Sequence, residues 1–222
     1  MRKLSLSIPK TNLYNLVESQ LSFHYPDQHQ TNTKTLQYCI ENAILRIRNC
    51  FEPINLKYYV QGNESYFNHL HGDHYASFLY FLSNEAYLTG DEILASKLFL
   101  LNKTLFGIDA FYAIKLPTHF LFVHPLGTVL GNAQYEDFFV AYQGVTIGST
   151  SKGEYPVFSS STILYSNSSI IGNCQIGKNF VLGANASLIN TNVPDNKVVI
   201  GKFPDYSLLD NKNSLITGYF NF

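Results

Sequence analysis

Six apolar residues, Phe158, Leu164, Ile170, Ile176, Leu182 and Leu188, recur at six-residue intervals. That period suits neither an α-helix nor a half-buried strand, whose inward faces repeat every ~3.6 and ~2 residues. It suits a parallel β-helix of triangular section, in which each hexapeptide forms one flat side and its aliphatic residue points into the prism. Three hexapeptides then close a coil. Glycine follows the anchor at Ile176-Gly177 and Leu182-Gly183, and small residues stand two positions before it at Ser168, Cys174 and Ala186, with Phe180 the exception. The same grammar extends upstream less regularly, through Val129-Leu130-Gly131 and Val145-Thr146-Ile147-Gly148. Between Gly148 and Tyr155 the polar run Ser149-Thr150-Ser151-Lys152-Gly153-Glu154 breaks the period. It reads as a loop thrown out of the coil, and such excursions from a rigid scaffold carry binding groups. The turn signal Val193-Pro194-Asp195-Asn196 ends the repeat, and Val198-Val199-Ile200-Gly201 and an aromatic tail follow.

The first half reads as helical. Leu13, Leu16, Val17 and Leu21 lie at helical spacing, and Leu36, Ile40, Ala43, Ile44 and Ile47 form one face of a second segment. Pro26 and Asp27 suit a turn between them. A third helix is expected over 73–88 and a fourth over 91–105, with Asp73 and Asp91 as N-caps and Thr89-Gly90 as the separator. Tyr75, Phe78, Tyr80, Phe81 and Tyr87 surround the third helix, which predicts burial on several sides or between subunits. The expected organisation is therefore α+β: a helical domain over 1–106, a parallel β-helix over 107–204 and a tail over 205–222.

Charge removes several function classes. The chain of 222 residues has a formal net charge of -1, so no strong field draws it to phosphate backbones, and nucleic acid is not an expected partner. Only 14% of residues are charged, while Phe and Tyr number 17 and 16. Much polar work is left to Asn, Ser, Thr and Tyr. No apolar run reaches the ~18 residues of a membrane span, and the opening Met1 to Pro9 has a basic start without an apolar signal core, so a soluble cytoplasmic chain is expected. Cys39, Cys50 and Cys174 are odd in number and lack CxxC spacing, which predicts buried thiols rather than disulfides or a zinc site.

The string His124-Pro125-Leu126-Gly127-Thr128-Val129-Leu130-Gly131, followed by Gln143-Gly144-Val145-Thr146-Ile147-Gly148, resembles the left-handed β-helix (hexapeptide repeat) acyltransferases. A helical half before such a repeat is similar to their serine acetyltransferase branch, over roughly residues 73 to 204. The resemblance implies a left-handed coil, acetyl-CoA as co-substrate, no metal, and a homotrimer or dimer of trimers with sites between subunits. It implies His124 as general base and Asp109, fifteen residues earlier, as the residue that orients it. On a flat face of a regular coil that spacing leaves the two Cα atoms on the order of 10 Å apart, so direct pairing requires an irregular first coil or an intervening corner. By the same resemblance, backbone amides at Gly148 and Ser149 serve as oxyanion donors. Ser149, Ser166, Asn167, Gly183, Ala184 and Lys202 would contact coenzyme A.

The chain departs from the pattern at the acceptor. Serine acetyltransferases place an aspartate directly before the catalytic histidine and an Arg-His pair in the loop, where this chain has Val123 and Glu154-Tyr155. Val123, Glu154 and Tyr155 suit a neutral hydroxyl acceptor, such as a sugar of a polysaccharide precursor, alongside serine itself. Asp73 is a further acceptor-binding candidate from the helical half. His69, His71 and His74 surround it without a zinc-motif spacing, and His119 precedes the first coil. Two other functions stay open: a sugar N-acetyltransferase of the same fold and a catalytically silent hexapeptide scaffold. A β-helix carbonic anhydrase is disfavoured, because no histidine follows His124.

Overall fold

The computed structural model describes residues 2–27, 29 and 31–221. The chain forms two compact units, Met1–Gly107 with Phe111–Ala113, and Ile108–Ala110 with Ile114–Phe222.

The first unit contains the four expected helices, α1 (Lys10–His24), α2 (Thr33–Phe51), α3 (Gly72–Leu88) and α4 (Glu92–Phe106). It also contains a small sheet that the helical pattern does not signal. In that sheet β1 (Leu4–Leu6) runs parallel to β3 (Glu64–Phe67), and β2 (Val60–Gln61) pairs antiparallel on the other side. Strands this short show no readable alternation. Helix α3 packs against both α2 and α4, and Tyr75, Phe78, Tyr80 and Phe81 are buried all round it. Asp91 caps α4 by accepting from the Leu94 amide at 3.0 Å. Asp73 does not cap α3. The chain is already helical at Gly72, with His71 in extended conformation at the cap position, so Asp73 falls in the first turn, where an acid still complements the helix dipole. Cys39, Cys50 and Cys174 are all buried, and none of the three forms a disulfide.

His74 is fully buried against Phe51, Tyr59 and Phe67, and its Nδ1 accepts from the Asn68 amide at 3.1 Å. Burial, followed by the nearby His71, pushes its pKa down to about 3.

The second unit is a three-sided prism of parallel strands. Its first face stacks β4 (Asp109–Ala110), β6 (Val129–Leu130), β8 (Thr146–Gly148), β11 (Ser169–Ile171) and β14 (Ser187–Ile189). The second face holds β9 (Val157–Phe158) and β12 (Gln175–Ile176), extended by bridges at Gln134 and Val193. The third stacks β5 (Phe120–Val123), β7 (Phe139–Tyr142), β10 (Thr162–Leu164), β13 (Phe180–Leu182) and the start of β15 (Lys197–Lys202). The chain visits the faces in that order and returns from the third to the first.

The six anchors of the repeat point inward, none more than 2% exposed. Phe180, which breaks the small-residue rule, is also fully buried, on the third face. Corners require left-handed backbone, supplied largely by asparagine: Asn167, Asn179, Asn185, Asn190 and Asn196 all have φ between 47° and 59°. Several also tie coils together, as where the Asn190 Oδ1 accepts from the Asn173 amide at 2.9 Å and the Asn179 Nδ2 donates to the Asn196 Oδ1 at 2.9 Å.

Residues 205–222 continue this unit. β16 (Asp205–Asp210) pairs antiparallel with β15, and a 3-10 turn follows at Leu215–Gly218. The segment is tied to both borders of the third face: the Phe220 ring lies 5.3 Å from Phe138, and the Tyr219 hydroxyl lies 2.7 Å from that of Tyr142. The outward apolar row of that face, Leu121, Val140, Ile163 and Val181, is buried.

Two measurements check these assignments. Leu182→Ala empties an anchor site and is expected to cost about 2–5 kcal/mol in urea denaturation. For His74, neither the folded nor the unfolded form binds a proton well above pH 6.5; below it the unfolded chain takes up a proton that the folded one refuses until about pH 3. Stability therefore falls as pH drops through that window, by at most about 1.4 kcal/mol per unit. His74→Gln is expected to flatten this slope between pH 6.5 and 4.5.

Candidate functional site

His124 stands at the corner where the third face passes to the first. Register fixes the corner's shape: Val123 pairs with Tyr142 and Val129 with Thr146, so His124–Thr128 spans a gap that Gln143–Val145 spans with two fewer residues. The surplus bulges outward. His124 is exposed there with φ 50°, and the bulge is held by the Leu126 amide donating to the His124 carbonyl at 2.7 Å and the Thr128 amide to the Pro125 carbonyl at 3.0 Å. Thr128 is fully buried and its hydroxyl donates to the Tyr142 carbonyl at 2.9 Å, pinning the bulge to the coil below.

Asp109 opens the first face one coil above, in register with Val129, and its amide donates to the Thr128 carbonyl at 2.8 Å. The two residues thus do not share a flat face, the geometry behind the ~10 Å spacing. The chain turns the corner between them, and both lie at the head of one edge of the prism. Asp109 is half-buried.

Beneath His124 the same edge carries other candidates. Continuing the register places Gln143 under His124, then Ser166, then Ala184. The Asn167 amide donates to the Gln143 carbonyl and the Asn185 amide to the Ser166 carbonyl, each at 2.9 Å, so the edge is a continuous ladder. Gly183 and Ala184 leave it without bulky side chains, and Asn167 lies against Gly144. Lys202 is exposed at the foot of the first face, paired in register with Ser187.

Gly148, Ser149, Glu154 and Tyr155 lie elsewhere, at the edge where the first face passes to the second. The loop from Ser149 to Pro156 absorbs the extra length between β8 and β9. Its Tyr155 ring covers Gly131, where a Cβ would stand 2.6 Å from Tyr155 Cε1, so the close approach requires glycine. Glu154 is exposed. A strand of three residues separates this edge from His124, roughly 10 Å. The structure therefore gathers Asp109, Val123, His124, Ser166, Asn167, Gly183 and Ala184 on one edge, and Gly148, Ser149, Glu154 and Tyr155 on another.

His119 lies at the opposite end of β5 from His124. Its amide donates to the Asp137 Oδ1 at 2.9 Å, and its ring stacks on Phe138 at 5.2 Å. Asp73 and the three neighbouring histidines belong to the helical unit. His69 Nδ1 lies 2.8 Å from the Ser7 hydroxyl, while the His71 and His74 rings stack at 4.2 Å. Among the described residues no group of three or more His, Cys, Asp or Glu is placed to hold a metal ion, and no helix is long and apolar enough to cross a membrane.

Sequence reasoning missed Thr128, Gln143 and the tyrosines of the neighbouring column. Gln143 directly precedes the glycine of the matched motif, and its buried Oε1 has no hydrogen-bond partner. Tyr219 gives no local signal, since its partner Tyr142 is 77 residues away.

No family model matches the chain. It is 30% identical over 105 residues to a serine acetyltransferase of Synechococcus elongatus, covering 46% of this chain and 43% of that one. It is 25% identical over 131 residues to a serine acetyltransferase of Staphylococcus xylosus, covering 57% and 60%. The chain spans about half the length of the curated relatives it matches. The crystal structure of a serine acetyltransferase in complex with coenzyme A from Brucella abortus superposes with a TM-score of 0.68 at 17% identity, covering 93% of this chain and 84% of that one. This chain, a helical N-terminal region followed by a left-handed hexapeptide β-helix, has the serine acetyltransferase fold, and over part of its length its sequence resembles theirs.

Proposed function

We propose that this chain is an acetyl-CoA-dependent O-acetyltransferase, with His124 as general base and Asp109 as the residue that orients it. The observation that carries the reading is the head of the histidine edge: an exposed imidazole on a two-residue bulge, Asp109 anchored to that bulge by its amide, and a track of small residues below.

The chemistry needs this arrangement. A hydroxyl with a pKa far above 7 attacks a thioester poorly, so a neutral imidazole takes its proton as the C–O bond forms, a contribution of roughly 10² to 10⁴ in rate. An aspartate on the other ring nitrogen holds the tautomer and stabilises the imidazolium. As the tetrahedral intermediate collapses, the C–S bond breaks and the imidazolium returns the proton to the departing sulfur, leaving an acetyl ester and a free thiol. Amides at Gly148 and Ser149 are suited to the developing oxyanion.

Coenzyme A suits the histidine edge. Ser166, Asn167, Gly183 and Ala184 leave room for a pantetheine arm along the ladder, and Lys202 at its foot offers a cation to phosphate. The serine acetyltransferase of Brucella abortus binds coenzyme A on this fold.

Assembly completes the site. With the base on one edge and the Ser149 loop on another, roughly 10 Å apart, a neighbouring copy is needed to bring loop and base to one substrate. A homotrimer with sites between subunits meets that need, and the first face offers it exposed apolar side chains at Val129 and Ile189. The acceptor is a small hydroxyl compound. Val123 and the Glu154-Tyr155 pair offer no cationic clamp for a carboxylate, and the residue directly before the base is an uncharged valine, which favours a neutral sugar over serine.

A thiol-release assay with acetyl-CoA tests the reading. His124→Ala is expected to lower turnover about 10²- to 10⁴-fold while leaving acetyl-CoA affinity by calorimetry within about twofold. Near-normal turnover in that variant rejects the assignment. Asp109→Asn is expected to lower kcat roughly tenfold or more with little change in KM. The product should lose its acetyl group in mild base; an alkali-stable amide would move the chemistry to an amine acceptor.

A further inference from the structure

The column beside the histidine edge has the composition of a recognition surface. On the third face Val123 stacks in register on Tyr142, and Tyr165 follows below it. Their side chains alternate with the inward Phe122, Ala141 and Leu164, so they point outward. The Tyr142 and Tyr165 rings lie 5.1 Å apart and inclined at 42°. Tyr219 reaches the same place from the C-terminal segment, its hydroxyl 2.7 Å from that of Tyr142 and its ring nearly perpendicular at 82°. All three tyrosines are half-buried, each with part of its surface open.

This cluster adjoins the base. Tyr142 lies one strand below and one residue back from His124, which places the two Cα atoms on the order of 6 Å apart. No charged residue occupies the column: Val123, Tyr142 and Tyr165 are followed in register by Gly183 and Ile200. Burial, then the hydroxyls of Tyr142 and Tyr165, push the Tyr219 phenol well above its ordinary range, so that hydroxyl stays neutral. A carboxylate pressed against this column would lose water without gaining a counter-charge. A polyol would not, because each phenol both donates and accepts and each ring offers an apolar face to C–H groups.

We infer that Tyr142, Tyr165 and Tyr219 form the acceptor-selecting wall of the site, that it takes a neutral polyhydroxylated acceptor, and that the segment ending at Tyr219 and Phe220 is therefore part of the site. The inference rests on the acetyl-transfer reading and adds to it the residues that choose the acceptor. The hydroxyls of Tyr142 and Tyr165 both reach that of Tyr219, so the wall offers one phenol cluster.

The test measures thiol release from acetyl-CoA with L-serine and with a panel of methyl glycosides, for wild type, Tyr142→Phe and Tyr219→Phe. These variants keep ring packing, and melting temperatures near wild type verify the fold. Expected results are a higher kcat/KM for at least one methyl glycoside than for serine, and a roughly tenfold rise in that glycoside's KM in each variant, the size of one lost neutral hydrogen bond. The KM for acetyl-CoA should stay within about twofold. A preference for serine, an unchanged glycoside KM in both variants, or refusal of every glycoside while serine is acetylated overturns the inference and leaves acetyl transfer standing. Absence of His124-dependent thiol release with every acceptor overturns the acetyl-transfer reading itself.

Discussion

The second unit depends on one constraint, the burial of an apolar anchor from each hexapeptide inside the prism. Leu164, Ile170, Ile176, Leu182 and Leu188 are almost wholly removed from water, and each fixes the inward side of its strand. Because a one-residue slip would turn every such side chain outward, the anchors also set the register between coils. That register decides which residues share an edge. The vertical ladder of amide-to-carbonyl bonds at the corners then follows, with asparagines in left-handed conformation closing the turns.

A scaffold so repetitive carries chemistry where it departs from the repeat. Two departures matter: the bulge at His124–Thr128 and the loop after Gly148. The first displays an imidazole on a corner pinned from above by Asp109 and from below through Thr128. The second covers Gly131 with Tyr155. Their placement on different edges separates base and loop within one chain. The low charge content has a local expression here. The column next to the base is built from valine and tyrosine, whose hydroxyls offer direction without charge.

Much of this was legible in the residues. The six-residue period located the anchors and the excursion of the loop; helical spacing located the first two helices, and cap and turn signals located the other two. His124 and Asp109 came from a resemblance rather than from spacing; a flat face separates residues fifteen apart, and only the turn at Thr128 carries both to one edge. Other features were not legible. The sheet formed by Leu4–Leu6, Val60–Gln61 and Glu64–Phe67 consists of strands too short to show a period. Asp73 resembled a cap, but extended backbone at His71 started the helix one residue earlier. The Tyr142–Tyr219 contact joins residues with no local relation.

The sequence by itself determined the inward set of the β-helix, the four helices and the breaks in the repeat, because each is a local pattern of side chains with a period the backbone must satisfy. Tertiary structure decided which breaks share an edge, that His124 heads a column over Gln143, Ser166 and Ala184, and that the segment after β16 returns to place Tyr219 beside Tyr142. These are consequences of coil length and register summed over many residues. Two additional residues in one corner are enough to change what stands exposed there, and no local pattern carries that sum.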